Sequence, residues 1–281
     1  MNKKFIRFDW ALKKLLRNKA NFDILEGFLS ELLRFDVTIE SILESEGNKE
    51  YEYDKYNKVD ILVKSSNNEL MLIEIQNESE IDYFQRMIYG VSKLITEYIK
   101  QGEPYGTIKK VYSINIVYFG LGQGKDYVYE YRGEFFGLHE NDILLPTLMQ
   151  QQEYQVQKVS DIFPKYYILK VNNFNDVARD TLDEWIYFLK NSEIKDDFKA
   201  KGLDKAKEKL LYEQLSEEEK KMYERFQENK RIESSISYTA KQERSIEIAR
   251  NAIQKGFDDQ TIAEITNLPV EQIEKLRKEY F

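Results

Sequence analysis

Three polar residues interrupt two apolar, strand-like runs. Asp60 lies in KVDILVK (58–64), and Glu74 and Gln76 lie in ELMLIEIQ (69–76). Side chains of a strand alternate between its two faces. The odd positions Val59, Ile61, Val63, Met71, Ile73 and Ile75 form a continuous apolar face that belongs to the core. The even face collects Asp60, Glu74 and Gln76 at one end. Its other members are Leu62, Lys64, Leu70 and Leu72, mostly apolar, so this face is covered as well. With a three-residue turn within Ser65-Ser66-Asn67-Asn68, Asp60 stands opposite Glu74; a four-residue turn shifts the register by one. Like charges opposed across a strand pair are destabilising, and partial burial worsens the repulsion. A hard divalent cation removes the conflict, because it takes oxygen ligands and keeps several waters. One such water can act as a nucleophile while the cation stabilises charge developing at phosphorus, which is the chemistry of phosphodiester hydrolysis. The alternative is a hairpin with two edge acids near solvent.

The composition narrows the chemistry from the other side. The 281 residues contain no Cys and one His, His139 in FFGLHEND. Disulfide scaffolds, thiolate-ligated zinc and thiol nucleophiles are excluded, and two-His metal motifs with them. Acids outnumber bases 50 to 42, for a net charge of −8, so a globally basic nucleic-acid coat is excluded while a local basic groove is not. The N-terminus, MNKKFIRFDWALKKLLRNKANF, lacks the apolar stretch of a signal peptide, and no window approaches the roughly 18 apolar residues of a membrane span. The expectation is a soluble, cytoplasmic protein.

The elements that must position the acids are legible in outline. Residues 8–35 read as helical with a break at Asn18–Asn21, and 58–64 with 69–76 read as a β-hairpin. A helix over 81–101 ends at Gly102 and Pro104. VYSINIVYF (111–119) is a further strand, and weaker strands follow near 127–131 and 166–171. The composition shifts near residue 176. Beyond it come an amphipathic helix over 180–191 and a charged, Pro-free stretch over 199–255, read as a solvated helical arm with a capping box starting at Ser216. Two short helices flank Asn267-Leu268-Pro269. The expected organisation is an α/β domain over 1–176 and a helical region over 177–281.

The order and spacing of these segments carry a resemblance. FDWALKKLL (8–16), KVDILVK, IEIQ (73–76), the helix from Gln85-Arg86 to Ser92-Lys93-Leu94, GEPYGTIKKVYSINIVYF (102–119) and LSEEEKKMYE (215–224) resemble the Rpn-type recombination-promoting nuclease/transposase family of the PD-(D/E)xK nuclease superfamily. The similarity covers roughly residues 8–230. The resemblance implies a restriction-endonuclease-like core, a mixed central sheet flanked by helices, followed by a helical C-terminal region. It implies a metal-dependent DNA endonuclease linked to recombination or mobile elements, using Mg²⁺ with Mn²⁺ as a substitute. Asp60 and Glu74 would be the metal ligands, the Ile75 carbonyl is a candidate third, and Gln76 takes the catalytic place of the superfamily lysine. A lysine carries charge or, if shifted, acts as a base, whereas an amide orients water or the scissile phosphate by hydrogen bonding. Asp54 has no preceding Pro, so the PD dipeptide itself is absent.

Other residues have two readings each. Asp9 and Glu31 are either additional acids of the metal shell or a helix cap and a surface acid. Arg86 either meets a phosphate or pairs with an acid such as Asp82. Lys64, Lys93 and Lys100 either contact the DNA backbone or are solvated charges. Trp10 and Trp185 are core residues. The C-terminal helices resemble a helix-turn-helix, but Glu271, Glu274 and Glu279 on the second helix oppose a phosphate backbone, so packing or dimerisation is the preferred role there. The partners expected are DNA and a second copy of the chain, without a membrane. The alternative function is a non-catalytic, nuclease-fold protein that binds DNA or regulates phage defence or a mobile element.

Overall fold

The computed structural model describes residues 5–14, 18–43, 58–99 and 102–280. Helix α1 (Phe8–Lys14) and helix α2 (Phe22–Leu33) are separated by a short 3-10 turn, as the Asn18–Asn21 break anticipates. Asn18 caps that turn by accepting the Ala20 N–H at 3.0 Å. Helix α2 ends where Arg34 takes a left-handed φ of 64° and donates its N–H to the Ser30 carbonyl.

A six-stranded mixed sheet follows. Strand β1 (Ile39–Leu43) pairs antiparallel with β2 (Lys58–Ser65), which pairs antiparallel with β3 (Leu70–Gln76). The β2–β3 turn has three residues, 66–68. Asn68 takes a φ of 65°, and the Ser65 N–H donates to the Glu69 carbonyl at 3.0 Å. This is the shorter of the two turns read from the sequence, and it sets Asp60 opposite Glu74 and Lys58 opposite Gln76. Helix α3 (Tyr83–Tyr98) crosses to β4 (Val111–Val117), which is parallel to β3. Then come β5 (Val128–Glu130), helix α4 (Leu148–Tyr154) and β6 (Lys165–Lys170). The strand order is β1-β2-β3-β4-β6-β5. The expected core, a mixed sheet flanked by helices, is the one observed.

Both faces of the sheet are covered. On one, Leu62, Leu70, Leu72 and Val111 pack with Val91 and Leu94 of α3. Helix α1 packs against β2. Phe8, Phe28 and Trp185 form an edge-to-face ring cluster, with centroids 5.6–5.9 Å apart. Trp10 and Trp185 are core residues, as expected.

Trp185 belongs to helix α5 (Thr181–Asn191), and helix α6 (Leu203–Lys209) follows it. Gly27 of α2 lies so close to the chain entering α6 that a Cβ there would come within 2.3 Å of the Lys201 carbonyl oxygen. Gly202 beside it has a φ of 83°. The first compact unit therefore runs to Lys220, beyond the expected boundary at 176. The composition change there marks more charge on the surface, while α5 and α6 still bury Trp185, Phe188, Leu203 and Ala206.

The stretch 199–255 is not one helix. It holds α6, a short turn and α7 (Glu217–Gln254). The capping box at Ser216 is formed: the Ser216 N–H donates to Glu219 Oε2 at 2.8 Å, and the Glu219 N–H donates to Ser216 Oγ at 3.3 Å. The second compact unit, Lys221–Phe281, contains most of α7 with α8 (Asp259–Thr266) and α9 (Val270–Tyr280). Its own small core joins Ala249 and Ile253 to Ile262, Leu268, Ile273 and Leu276. Asp258 caps α8 by accepting the Thr261 N–H at 2.9 Å. Asn267, at a φ of 56°, turns the chain before Pro269. Among the described residues, no helix is long and apolar enough to cross a membrane.

Candidate active site

Glu74 and Gln76 project from one face of β3, two residues apart, at 5% and 4% exposure. They share that face with Leu70 and Leu72, which pack under α3. Gly90 of α3 brings the helix down over the carboxylate. A methyl group added there would touch Leu72 Cδ2 at 3.4 Å and Glu74 Oε1 at 3.7 Å. On the neighbouring strand β4, Asn115 pairs with Glu74 in register and is fully buried. Its amide oxygen accepts from the Tyr83 hydroxyl at 3.2 Å, and its nitrogen donates to Ser113 Oγ at 2.9 Å and the Tyr167 carbonyl at 3.1 Å.

The first turn of α3 adds a cation, and the turn before it adds a second acid. Arg86 Nη1 donates to both oxygens of Glu80, each at 2.7 Å, and its Nη2 lies 3.7 Å from Glu74 Oε2. Its guanidinium carbon lies 5.4 Å from the Tyr83 ring centroid. Gln76 Nε2 donates to Glu80 Oε1 at 2.8 Å. Gln76 Oε1 is buried and has no hydrogen-bond partner among the described residues. An unsatisfied buried acceptor is costly, by about 1–3 kcal/mol. Beside a buried carboxylate, it fits a hard, oxygen-seeking cation or a water.

The fate of the sequence candidates differs. Glu74 and Gln76 are together, and the backbone of Asp60 stands opposite Glu74, while the Asp60 side chain lies outside the described residues. Among the described residues, no group of three or more acids or histidines gathers as a metal site. Ile75 is buried within β3. Arg86 joins the cluster, but through Glu80 and Glu74 and not the side chain of Asp82, whose carbonyl takes only the Arg86 backbone N–H.

Lys64 stands four residues along β2 from Asp60, about 13 Å at strand rise. It pairs with Glu40 at 2.7 Å, and its ammonium holds the Glu40 carboxyl below the usual range. Lys93 sits two turns beyond Arg86 and pairs with Glu97 at 3.7 Å. Asp9 is buried, held by Arg7 at 3.0 Å and by the Trp10 N–H at 2.8 Å. Burial, with the Asp9 charge nearby, pushes the Tyr118 phenol up. Glu31 accepts from Thr181 Oγ1 at 2.5 Å and the Lys201 N–H at 3.0 Å, a structural tie. Gln85 and His139 are exposed. Asp54 and Lys100 lie outside the described residues.

Glu80, Asn115 and Tyr83 are the polar residues of this cluster that sequence reasoning missed. Asn115 had a signal: with Ser113 it interrupts an apolar strand at alternate positions. Glu80 had none, because its spacing from Gln76 and Arg86 acquires meaning only through the path of the 77–82 turn.

The family model described as PD-(D/E)XK nuclease family transposase matches residues 6–240. A second, the C-terminal HTH domain of the Rpn/YhgA-like nuclease family, matches residues 242–278. The latter takes in α8 and α9, for which the sequence had favoured packing or dimerisation over DNA reading. No curated protein and no solved structure matched the chain. With the mixed sheet, the buried Glu74 and the covering helix α3 in place, the chain belongs to the PD-(D/E)XK nuclease family transposases, and its residues 242–278 are similar to the C-terminal HTH domain of Rpn/YhgA-like nucleases.

Proposed function

We propose that the protein is a Mg²⁺-dependent endonuclease that hydrolyses phosphodiester bonds of DNA in recombination or the movement of mobile elements. The observation that carries this reading is the register of the β2–β3 hairpin, which sets Asp60 opposite a Glu74 that is almost completely buried. Asp60 and Glu74 would hold the ion, with Mn²⁺ as a substitute. When bound, the ion supplies charge neutralisation at phosphorus and a water of lowered pKa. Hydrolysis consumes one water: its oxygen bonds to phosphorus, one P–O ester bond breaks, and the displaced sugar oxygen leaves as a hydroxyl.

Gln76 orients the reacting groups by hydrogen bonding. Among the described residues, Arg86 is the cation beside the carboxylate, available to exchange Glu74 for a phosphate oxygen when an ion neutralises the acid. The helix-turn-helix domain supports DNA as the partner. Lys64 and Lys93, each weakly tied to one exposed acid, are available for the phosphate backbone. A two-fold duplex suits a homodimer, and a cytoplasmic location is part of the same proposal.

Supercoiled plasmid incubated with the purified protein, in Mg²⁺ or in EDTA and beside Asp60→Ala, tests the reading. The expected outcome is Mg²⁺-dependent nicking or linearisation, reduced at least about a thousandfold in a folded Asp60→Ala protein, the loss of more than ~4 kcal/mol of transition-state stabilisation. Undiminished activity in the variant would remove Asp60 from the site. DNA binding without cleavage in either metal would favour a non-catalytic, regulatory protein.

A further inference from the structure

We propose that Glu80 is a positioning residue that turns the Gln76 amide so that its oxygen, and not its NH₂ group, serves the reaction centre beside Glu74. The inference deepens the metal-nuclease reading and rests on it. Three observations converge. Gln76 Nε2 donates to Glu80 Oε1 at 2.8 Å, which identifies the nitrogen end of the amide by its acceptor. Glu80 is itself held by Arg86 Nη1, 2.7 Å from both carboxylate oxygens, which restrains it beside the amide. Gln76 Oε1 is left buried with no donor among the described residues, on the same face of β3 as Glu74. Flipping the amide would set its oxygen against the Glu80 carboxylate, acceptor against acceptor.

The chemical consequence is specific. An amide presenting its oxygen can accept a hydrogen bond from a water or lend a hard oxygen ligand to a divalent cation. It cannot donate to a phosphate oxygen, which is what a lysine at this position would do. Glu80 and Arg86 thus decide which half of the amide the centre sees, and the ligand served is a hard divalent cation or a water bound to it.

The test is calorimetric titration of Mn²⁺ into the full-length protein without DNA, with plasmid nicking as a second readout. Gln76→Glu presents an oxygen from either end and should bind Mn²⁺ at least as tightly as the wild type. Gln76→Lys and Gln76→Met should bind it at least tenfold more weakly. Gln76→Met adds no charge and keeps the test valid if the lysine variant folds poorly.

The positioning role of Glu80 is read from a double-mutant cycle. Glu80→Ala should weaken Mn²⁺ binding about tenfold when residue 76 is Gln. In the Gln76→Glu background, where no orientation is needed and the carboxylates meet acceptor to acceptor, it should not weaken binding. An equal loss in both backgrounds would reduce Glu80 to a structural prop and overturn the proposal. Full Mn²⁺ affinity and nicking in Gln76→Lys would overturn it while leaving the nuclease reading intact. A wild type that neither binds Mn²⁺ nor cuts DNA would overturn both.

Discussion

Along β3 every residue is buried, yet one face is apolar throughout while the other turns polar at Glu74 and Gln76. Met71, Ile73 and Ile75 alternate with Leu72, Glu74 and Gln76 at comparable depth. The apolar face gains roughly 1.5–3 kcal/mol for each large side chain removed from water. The polar face gives up part of that gain. A buried carboxylate carries a desolvation penalty of several kcal/mol, which Arg86 at 3.7 Å offsets in part. Asn115 and Tyr83 satisfy each other, Glu80 satisfies Gln76 Nε2 and Arg86, and Gln76 Oε1 keeps open capacity. Equal burial with unequal satisfaction separates a face that holds the fold from the face to which the proposed chemistry is assigned.

Substitutions on each face can break this contrast. The largest effect on stability is expected at Trp185, which is fully buried among Phe8, Phe28 and Phe188 and donates from Nε1 to the Lys201 carbonyl at 3.1 Å. Trp185→Ala should cost about 3–5 kcal/mol in urea unfolding while leaving Mn²⁺ affinity of the folded fraction unchanged. A loss below about 1 kcal/mol would mean the ring cluster is not the structural centre.

Glu74→Leu should act in the reverse sense. Metal binding and cleavage should vanish, while stability in EDTA falls far less than for Trp185→Ala, because loss of a desolvated charge offsets the lost pairing and Arg86 keeps Glu80. A marked fall in stability would show that Glu74 is there to hold the fold.

The smallest effect sharpens the contrast at the other end of the sheet, before β4. There Lys110 Nζ donates to the Phe163 carbonyl at 2.6 Å and to the Asp161 carbonyl. Burial, with Lys165 nearby, lowers its pKa from 10.5 to about 8. A depressed lysine penalises the folded state fully below pH 8, and the penalty is relieved as pH rises towards 10.5. Stability should therefore rise between pH 8 and about 9.5 by roughly 0.5 kcal/mol after discounting for solvent screening, and the rise should disappear in Lys110→Met. Above pH 10 the sign reverses, because the raised tyrosines Tyr127 and Tyr167 favour the neutral form in the folded state. A flat profile in the lower window would mean that water reaches the amine.

Much of the fold was legible because it follows short periods. The hairpin alternates, α3 repeats at helical spacing, and the cap at Ser216 bonds as its residue type predicts. Strand β1 was missed: IESIL has one buried end and a partly exposed remainder, as an edge strand does, and so carries little alternation. The limit of the first unit was also misplaced, since charge content tracks the surface whereas Trp185 and Phe188 report the core.

The sequence by itself determined that Glu74 and Gln76 would share one covered face of a strand, because a period of two leaves no other arrangement. Only the tertiary structure chose between the two registers, through the φ of 65° at Asn68 that makes a three-residue turn. It alone brought Arg86 and Glu80 onto Glu74 and Gln76, and so turned the amide. The 77–82 turn that does this has no period to read, and its hydrogen bonds exist only once α3 has packed on the sheet.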